Sequence, residues 1–289
     1  MTQHRAPIIG VHPTATDQSM PVLDLAKETE ARGLRSLYLP EHTHVPVDSL
    51  QITDQWTMSE RYQRSLDPFI ASAFIAAQTS LEVGTAISLV AQHDAIALAK
   101  AIATIDHLAP GRTIVGVGFG YNLPEAANHG FPPRARAAVA EEAVRLMRAL
   151  WVDEVASFEG TYRSVSPSWS WPKPAAPPPV LLGARPSARN VEKIVDWTDG
   201  WIPMGQTPLM VGDDLARVRR AWVDAGRDAE LEVCCFFHPG DADAMAREVE
   251  RGMELGIQRM QVLLEDRTRD EVLPVIDALG LVADKLLAR

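Results

Sequence analysis

Eight short runs rich in Val, Ile and Leu recur along the chain, and most are followed by a helical pattern. They are PIIGVH (7–12), SLYLPE (36–41), LEVGTAI (81–87), TIVGVGFG (113–120), PVLLGA (179–184), DGWIPM (199–204), LEVCCFF (231–237) and IQRMQVLL (257–264). Apolar strands alternating with amphipathic helices imply a parallel sheet with its helices outside. Eight such units in 289 residues predict a single α/β domain over residues 1–289, a (β/α)8 TIM barrel. The competing architecture is an open doubly wound sheet. Against it, GVGFGYN breaks the G-x-G-x-x-G spacing, because Tyr121 takes the place of the last Gly. No helical pattern begins directly after it either, so a Rossmann nucleotide site is disfavoured.

The helix punctuation agrees with this frame. Gly33 ends the first helix, and Asp67–Pro68 reads as an N-cap followed by Pro at N1, where the missing N–H costs nothing. Asp94 can cap AIALAKAIATIDHL, which Pro110–Gly111 stops. Over 134–151, Val139, Ala143, Leu146, Met147 and Leu150 share one face. GDDLARVRRAWVDAG and DADAMAREVERGMELG fill the gaps before the last two strands. Thr268 and Glu271 form a capping box for the last helix, and Pro274 lies just past its first turn.

Two stretches break the rhythm. Residues 42–66 are too long for a plain βα connection, and in a barrel that loop lies on the catalytic face. Residues 152–178 are an insertion, with Gly160 between β-like runs predicting a hairpin and a Pro-rich tail an extended return. It follows a helix, so its default place is the opposite face.

Charge and composition exclude several functions. The net charge of −10, without a long basic cluster, makes nucleic acid a poor partner. No run of about 18 apolar residues exists to span a membrane, and the N-terminal MTQHRAPIIG has no stretch resembling a secretory signal. A cytoplasmic location is expected. Cys234 and Cys235 are adjacent in a strand, so their thiols point to opposite faces and read as small buried hydrophobes.

A barrel's chemistry gathers at the C-terminal ends of its strands. Those ends and the loops just beyond them collect His12, Glu41, His42, His44, Ser88, His93, Phe119, Tyr121, Asn122, Arg185, Trp201 and His238. The His-x-His of 42–44 could hold zinc, but strands five, six and eight bring no further histidine, and no metal site is expected. Glu41 and His42 could move a proton near neutral pH, or Glu41 could bond loop amides beside solvated histidines. LLGARPSARN carries Gly183, Arg185 and Ser187 at a strand-to-helix turn, a place for an anion, or simply a Ser cap. The alternate glycines of GVGFGYN could admit a flat group, or serve tight packing. Trp56, Trp169, Trp171 and Trp201 could line an apolar mouth, whereas Trp197 and Trp222 read as helix packing residues.

Five blocks in order carry a resemblance: GLRSLYLPEHTHVP (33–46), LEVGTAISLV (81–90), HLAPGRTIVGVGFGYN (107–122), RLMRALWVDEVASFEGTYR (145–163) and PKPAAPPPVLLGARPSARNVEKIVDWTDGWIPMG (172–205). Over nearly its whole length the chain resembles the luciferase-like flavin and deazaflavin oxidoreductases, specifically the coenzyme F420-dependent branch. The resemblance implies a luciferase-like barrel with one large cofactor at the strand C-termini and a homodimer acting on a small, rather apolar molecule. It places a non-prolyl cis peptide at Ala86–Ile87, in a strand-three bulge beside Ser88, and the cofactor's phosphate at Gly183, Ala184, Arg185, Ser187 and Ala188. Glu41 matches an acid that contacts the ring. His42 matches a histidine beside the reacting carbon, with a proton role. Phe119 and Gly120 match ring contacts, with Asn122 a further candidate. One departure concerns Tyr121, which stands where sugar-phosphate dehydrogenases of the branch carry Glu. Tyr is a weak base near neutral pH, so sugar-phosphate oxidation is not expected, and Tyr121 joins His42 as a catalytic candidate. The implied cofactor is F420. An FMN-dependent monooxygenase is the alternative, ahead of a metal hydrolase or a flavin-binding protein without turnover.

Overall fold

A computed structural model describes residues 6–53, 56–265 and 267–288. Eight parallel strands close into a barrel in sequential order. They are β1 (Ile8–Pro13), β2 (Ser36–Leu39), β3 (Glu82–Ser88), β4 (Thr113–Val117), β5 (Val180–Ala184), β6 (Gly200–Pro203), β7 (Glu232–Phe237) and β8 (Arg259–Leu264). β8 closes on β1 with Ile8 opposite Arg259. Each strand lies within the run expected for it or within a residue of it.

The helices are α1 (Val22–Ala31), α2 (Pro68–Gln78), α3 (Ala95–Leu108), α4 (Leu123–Asn128), α5 (Arg136–Val152), α6 (Ala188–Trp197), α7 (Gly212–Asp224), α8 (Ala242–Glu254) and α9 (Arg269–Leu287). Their starts follow local chemistry. The Asp67 side chain accepts from the Phe69 and Ile70 amides, Asp94 accepts from Ala97, and Thr268 with Glu271 forms the capping box. These bonds satisfy amides that have no partner inside the helix. α9 continues through Pro274 to Leu287. α4 corrects the sequence reading: it begins only two residues beyond Tyr121, with Asn122 as its cap.

Strand alternation sorts the core into two shells. Tyr38, Ala86, Ile114, Leu181, Ile202 and Cys234 fill the barrel interior. The opposite faces, including Val11, Val83, Val115, Val233 and Cys235, pack under the helices with Trp197 and Trp222. The two cysteines therefore part to different shells, both buried and free. At the N-terminal end of the barrel, Arg259 makes two bonds to Glu82 (2.9 and 3.0 Å) and pairs with Glu232, while Tyr38 donates to Glu82.

The long β2–α2 loop holds a short antiparallel ladder, Gln51–Thr53 with Trp56–Thr57. The insertion forms the expected hairpin, Ala156–Glu159 with Ser164–Ser168. Glu142 of α5 accepts from the amides of Thr161, Tyr162 and Arg163 at its turn. The hairpin reaches the catalytic end rather than staying at the opposite face: Arg163 donates to the carbonyls of Ala91 and His93, beyond β3. Among the described residues no helix is long and apolar enough to cross a membrane.

Candidate active site

The strand C-termini open onto a cavity of about 780 Å³, within the range of small-molecule sites. Its wall combines His12, Glu41, His42, Tyr62, Ala86, Ile87, Phe119, Gly120, Tyr121, Gly183, Ala184 and Arg185 with Met204, Met210, Phe236, His238 and Leu263 from the later strands and their loops. Most of these groups are apolar, so the few polar ones define what can happen there.

Glu41 follows β2 and is 4% exposed. Its carboxylate accepts from Ser88 Oγ (2.6 Å), the Leu89 amide (2.7 Å) and His93 Nε2 (2.7 Å). Burial alone would raise its pKa, but the hydrogen bond and charge of His93, with the Ser88 and Leu89 bonds, outweigh burial and hold the carboxyl below its ordinary value. His93 answers in the opposite sense. Burial pulls it down, Glu41 pulls it up more strongly, and its pKa is raised. The pair ties the end of β2 to the loop after β3, and Arg163 holds that loop from outside.

His42, the next residue, turns to a different partner. Its Nδ1 lies 2.8 Å from Glu125 Oε2 and its Nε2 lies 2.9 Å from Tyr121 Oη. Glu125 is fully buried on α4 and also accepts from the Thr43 amide at 3.2 Å. Tyr62 packs on the imidazole with ring centroids 5.0 Å apart. A carboxylate only accepts hydrogen bonds, so an ionised Glu125 requires the proton of His42 to sit on Nδ1. Burial, with the charges of Tyr62 and Glu125, pushes the Tyr121 phenol well above its ordinary pKa. Tyr121 is therefore a hydrogen-bond donor near neutral pH. His44 bonds to Thr43 (3.0 Å) and Asn128 (2.9 Å) at the surface and does not line the cavity.

The opposite part of the wall is built by β3. A cis peptide joins Ala86 and Ile87, where the resemblance placed it, and the pairing of β3 with β4 shifts register there. His12 Nε2 bonds to the Ala86 carbonyl at 2.5 Å. Burial lowers the His12 pKa, so a neutral imidazole donates that bond. Gly118, just beyond β4, and Gly183 of β5 make room for Ile87: a Cβ on Gly118 would lie 1.8 Å from Ile87 Cδ1, and one on Gly183 would lie 2.5 Å from its Cγ2. Packing, rather than access for a flat ligand, therefore accounts for Gly118. Gly120 has φ +71°, the left-handed conformation that favours glycine, and Arg136 Nε donates to its carbonyl at 3.0 Å.

At the β5–α6 turn, Ser187 caps α6 by accepting from the Asn190 amide. Arg185 is exposed and lines the cavity; its carbonyl accepts from Asn190 Nδ2 at 2.9 Å, and its guanidinium has no hydrogen-bond or ion-pair partner among the described residues. Unsatisfied amides at a helix start and an unpaired guanidinium suit an anionic group.

This geometry matches a known family. The luciferase-like monooxygenase family model fits residues 8–273. The chain belongs to this luciferase-like family. An uncharacterized protein of Mycobacterium tuberculosis is 36% identical over 273 residues, 92% of this chain and 94% of that one. An F420-dependent glucose-6-phosphate dehydrogenase of Kineococcus radiotolerans is 30% identical over 187 residues, covering 63% of this chain and 52% of that one. In fold, the chain is similar to an F420-dependent secondary alcohol dehydrogenase solved with an F420–acetone adduct. There the TM-score is 0.76 at 18% identity, over 96% of this chain and 98% of that one.

Within this luciferase-like barrel the expected site residues divide. Glu41, His42, Ala86, Ile87, Phe119, Gly120, Tyr121, Gly183, Ala184 and Arg185 come together around the cavity. Ser88, Asn122, Ser187 and Ala188 do not line it. Ser88 is spent on Glu41. Asn122 is buried, accepts from the Glu125 amide as the cap of α4 and donates to Ser49 Oγ. Ser187 caps α6, and Ala188 begins that helix. Glu41 lines the cavity while its carboxylate already accepts from three protein donors. Trp201 is fully buried and donates to the Ala184 carbonyl at 2.9 Å. Trp169 and Trp171 are exposed in the segment that follows the hairpin, and the Trp56 side chain lies outside the described part of the structure. No cluster of three or more His, Cys, Asp or Glu side chains suited to a metal occurs among the described residues. Glu125, Tyr62 and Arg136 escaped the sequence reading. The signal for Glu125 was present as Asn122-x-x-Glu125, the spacing of a helix start.

Proposed function

We propose that this luciferase-like protein is a coenzyme F420-dependent oxidoreductase that moves a hydride between the deazaflavin C5 and a small, neutral, rather apolar alcohol, carbonyl or activated double bond. The observation that carries the reading is the make-up of this cavity: an imidazole–phenol proton group, an apolar wall around the Ala86–Ile87 bulge, and the unpaired guanidinium of Arg185 beside the start of α6. These residues fit the cofactor. Arg185 and the turn from Gly183 would hold its phosphate, and Ile87, Phe119 and Gly120 would bear on its ring. Bound there, the deazaflavin supplies a carbon that accepts or donates hydride. The protein's own part is to exclude water with apolar walls, to orient the substrate, and to hold a proton at His42 and Tyr121.

Met204, Met210, Phe236 and Leu263 make much of the remaining wall apolar, with Arg136, Gln206, Thr207 and His238 as polar groups between them, and among the described residues no lysine lines it. This favours a neutral substrate over a sugar phosphate, in keeping with Tyr121 in place of an acid. For assembly we propose a homodimer. Val22, Leu23, Leu66, Ile70 and Phe74 form an apolar groove along α1 and α2, with Ile70 63% and Phe74 61% exposed. Light scattering after gel filtration checks this.

Separate fluorescence titrations with F420 and FMN test the cofactor. Micromolar binding of F420 is expected; binding of FMN alone would replace this reading with an FMN-dependent monooxygenase.

A further inference from the structure

We infer that the Tyr121 hydroxyl is the group that meets the substrate oxygen, and that His42 and the buried Glu125 stand behind it as a proton relay. The inference rests on the hydride-transfer reading and adds the order of the groups and the role of Glu125.

Both ring nitrogens of His42 are engaged, Nδ1 by Glu125 at 2.8 Å and Nε2 by Tyr121 at 2.9 Å. The His42 side chain is 6% exposed, whereas Tyr121 is 38% exposed and lines the cavity. A substrate oxygen entering the cavity therefore finds the phenol before the imidazole. Glu125 is fully buried, and among the described residues no lysine or arginine pairs with it; its one ion-pair partner is His42. A buried carboxylate needs a hydrogen-bonded partner, and the Nδ1–H of a neutral His42 supplies it while leaving Nε2 to accept from Tyr121. Burial raises the pKa of the phenol, so Tyr121 keeps its proton and offers no phenolate to act as a base on its own. It can pass a proton only if the imidazole takes one at the same time. The other groups facing His42 fit this assignment. Tyr62 packs on the ring, and Arg61, stacked on Tyr62, is neutralised by Glu265 at 2.8 Å.

In alcohol oxidation the substrate O–H proton passes to Tyr121 Oη as the Tyr121 proton passes to His42 Nε2. F420, held by Arg185 and the turn from Gly183, would supply the acceptor for the carbinol hydride, and the O–H bonding pair would then close the C=O bond. The protein's share is the proton, which rests on His42 beside Glu125. Carbonyl reduction runs the same transfers backwards. Glu125 touches neither substrate nor cofactor and acts as a positioning residue: it fixes the Nδ1–H tautomer of His42 and stabilises its charged form.

Nitrogen NMR of the full-length protein, labelled with 15N-histidine and free of cofactor, tests the relay without turnover. The His42 signals are identified by their loss in His42→Gln. The wild type should show the Nδ1–H tautomer with Nε2 accepting a hydrogen bond. Tyr121→Phe should keep that tautomer and lose the bond, and Glu125→Gln should lose the tautomer preference. An Nε2–H tautomer in the wild type would overturn the relay. In the F420-loaded enzyme, Tyr121→Phe and Glu125→Gln should each lower kcat by about 10²-fold while the Kd for F420 changes less than about twofold. The double variant should lose little more than either single one, because the groups act as a unit. Unchanged kcat in Tyr121→Phe would remove its terminal role. Failure to bind F420 would defeat the cofactor reading and leave the NMR result to decide the relay separately.

Discussion

Replacing Glu41 with Gln isolates the charge of a buried group while keeping its shape. In the wild type the carboxylate holds Ser88 Oγ and the Leu89 amide on one oxygen and His93 Nε2 on the other. A Gln side chain can keep the first two bonds with its carbonyl oxygen and turn its NH2 toward His93, which then accepts as a neutral ring. The bonds survive, but all three lose charge assistance. Bonds to charged groups contribute about 1.5–3 kcal/mol and neutral ones about 0.5–1.5, so the three bonds lose about 3–4.5 kcal/mol; the cheaper burial of a neutral amide offsets about 1–1.5 of this, leaving a net loss of roughly 2–3 kcal/mol. About 1 kcal/mol of it belongs to the ionic link with His93. The sign with pH follows from the two shifts. The folded pKa of Glu41 is lowered from 4.5, so its stabilisation is present above that value and is lost as pH falls through the folded one. That of His93 is raised from 6.5, so its share is complete below that value and is lost as pH rises through the folded one. The gap between wild type and Glu41→Gln should be widest between about pH 5 and 6.5 and should narrow by about 1 kcal/mol by pH 9. At roughly 2–4 °C per kcal/mol for a chain of this size, scanning calorimetry should show Tm lower by about 5–10 °C at pH 6 and by a smaller amount at pH 9. A gap that stays constant from pH 5 to 9 would refute the ionic link. A gap under about 1 °C would refute the importance of the carboxylate.

The other end of the barrel gives a second prediction. Arg259→Met leaves Glu82 buried without its cation and should destabilise the protein by about 3–5 kcal/mol by urea unfolding; a loss below about 1 kcal/mol would mean that the carboxylates relax freely. Gly118→Ala forces a methyl group against Ile87. It should cost about 1–3 kcal/mol of stability and weaken F420 binding in a fluorescence titration, because Ile87 borders the proposed ring site.

The barrel was legible because its eight strands are short apolar runs separated by helices whose caps are written in single residues. Asp67, Asp94, Thr268 and Glu271 act through local bonds, and local bonds can be read from spacing. Residues collected from strand ends were also legible as a set, since topology places all such ends on one face. What each side chain does there depended on partners distant in sequence. The partners of Glu41, namely Ser88, Leu89 and His93, lie 47 to 52 positions away, and Asn122, the cap of α4, also bonds the distant Ser49. Glu125 stayed hidden because α4 is too short to show a periodic pattern, and only the fold brings it 83 positions back to His42. Gly118, at the end of β4, was ambiguous for a similar reason: the volume that excludes a side chain there belongs to Ile87 on the neighbouring strand.

The central claim is hydride exchange with a deazaflavin in the cavity beside His42. Its most direct measurement is anaerobic stopped-flow absorbance of the protein mixed with F420 and a panel of neutral apolar secondary alcohols, and of the protein mixed with reduced F420 and the matching ketones. The account predicts loss of the oxidised F420 band with at least one alcohol, or its return with at least one ketone, and no requirement for oxygen. Silence across the panel, together with FMN-dependent oxygen consumption by the same preparation, would contradict it.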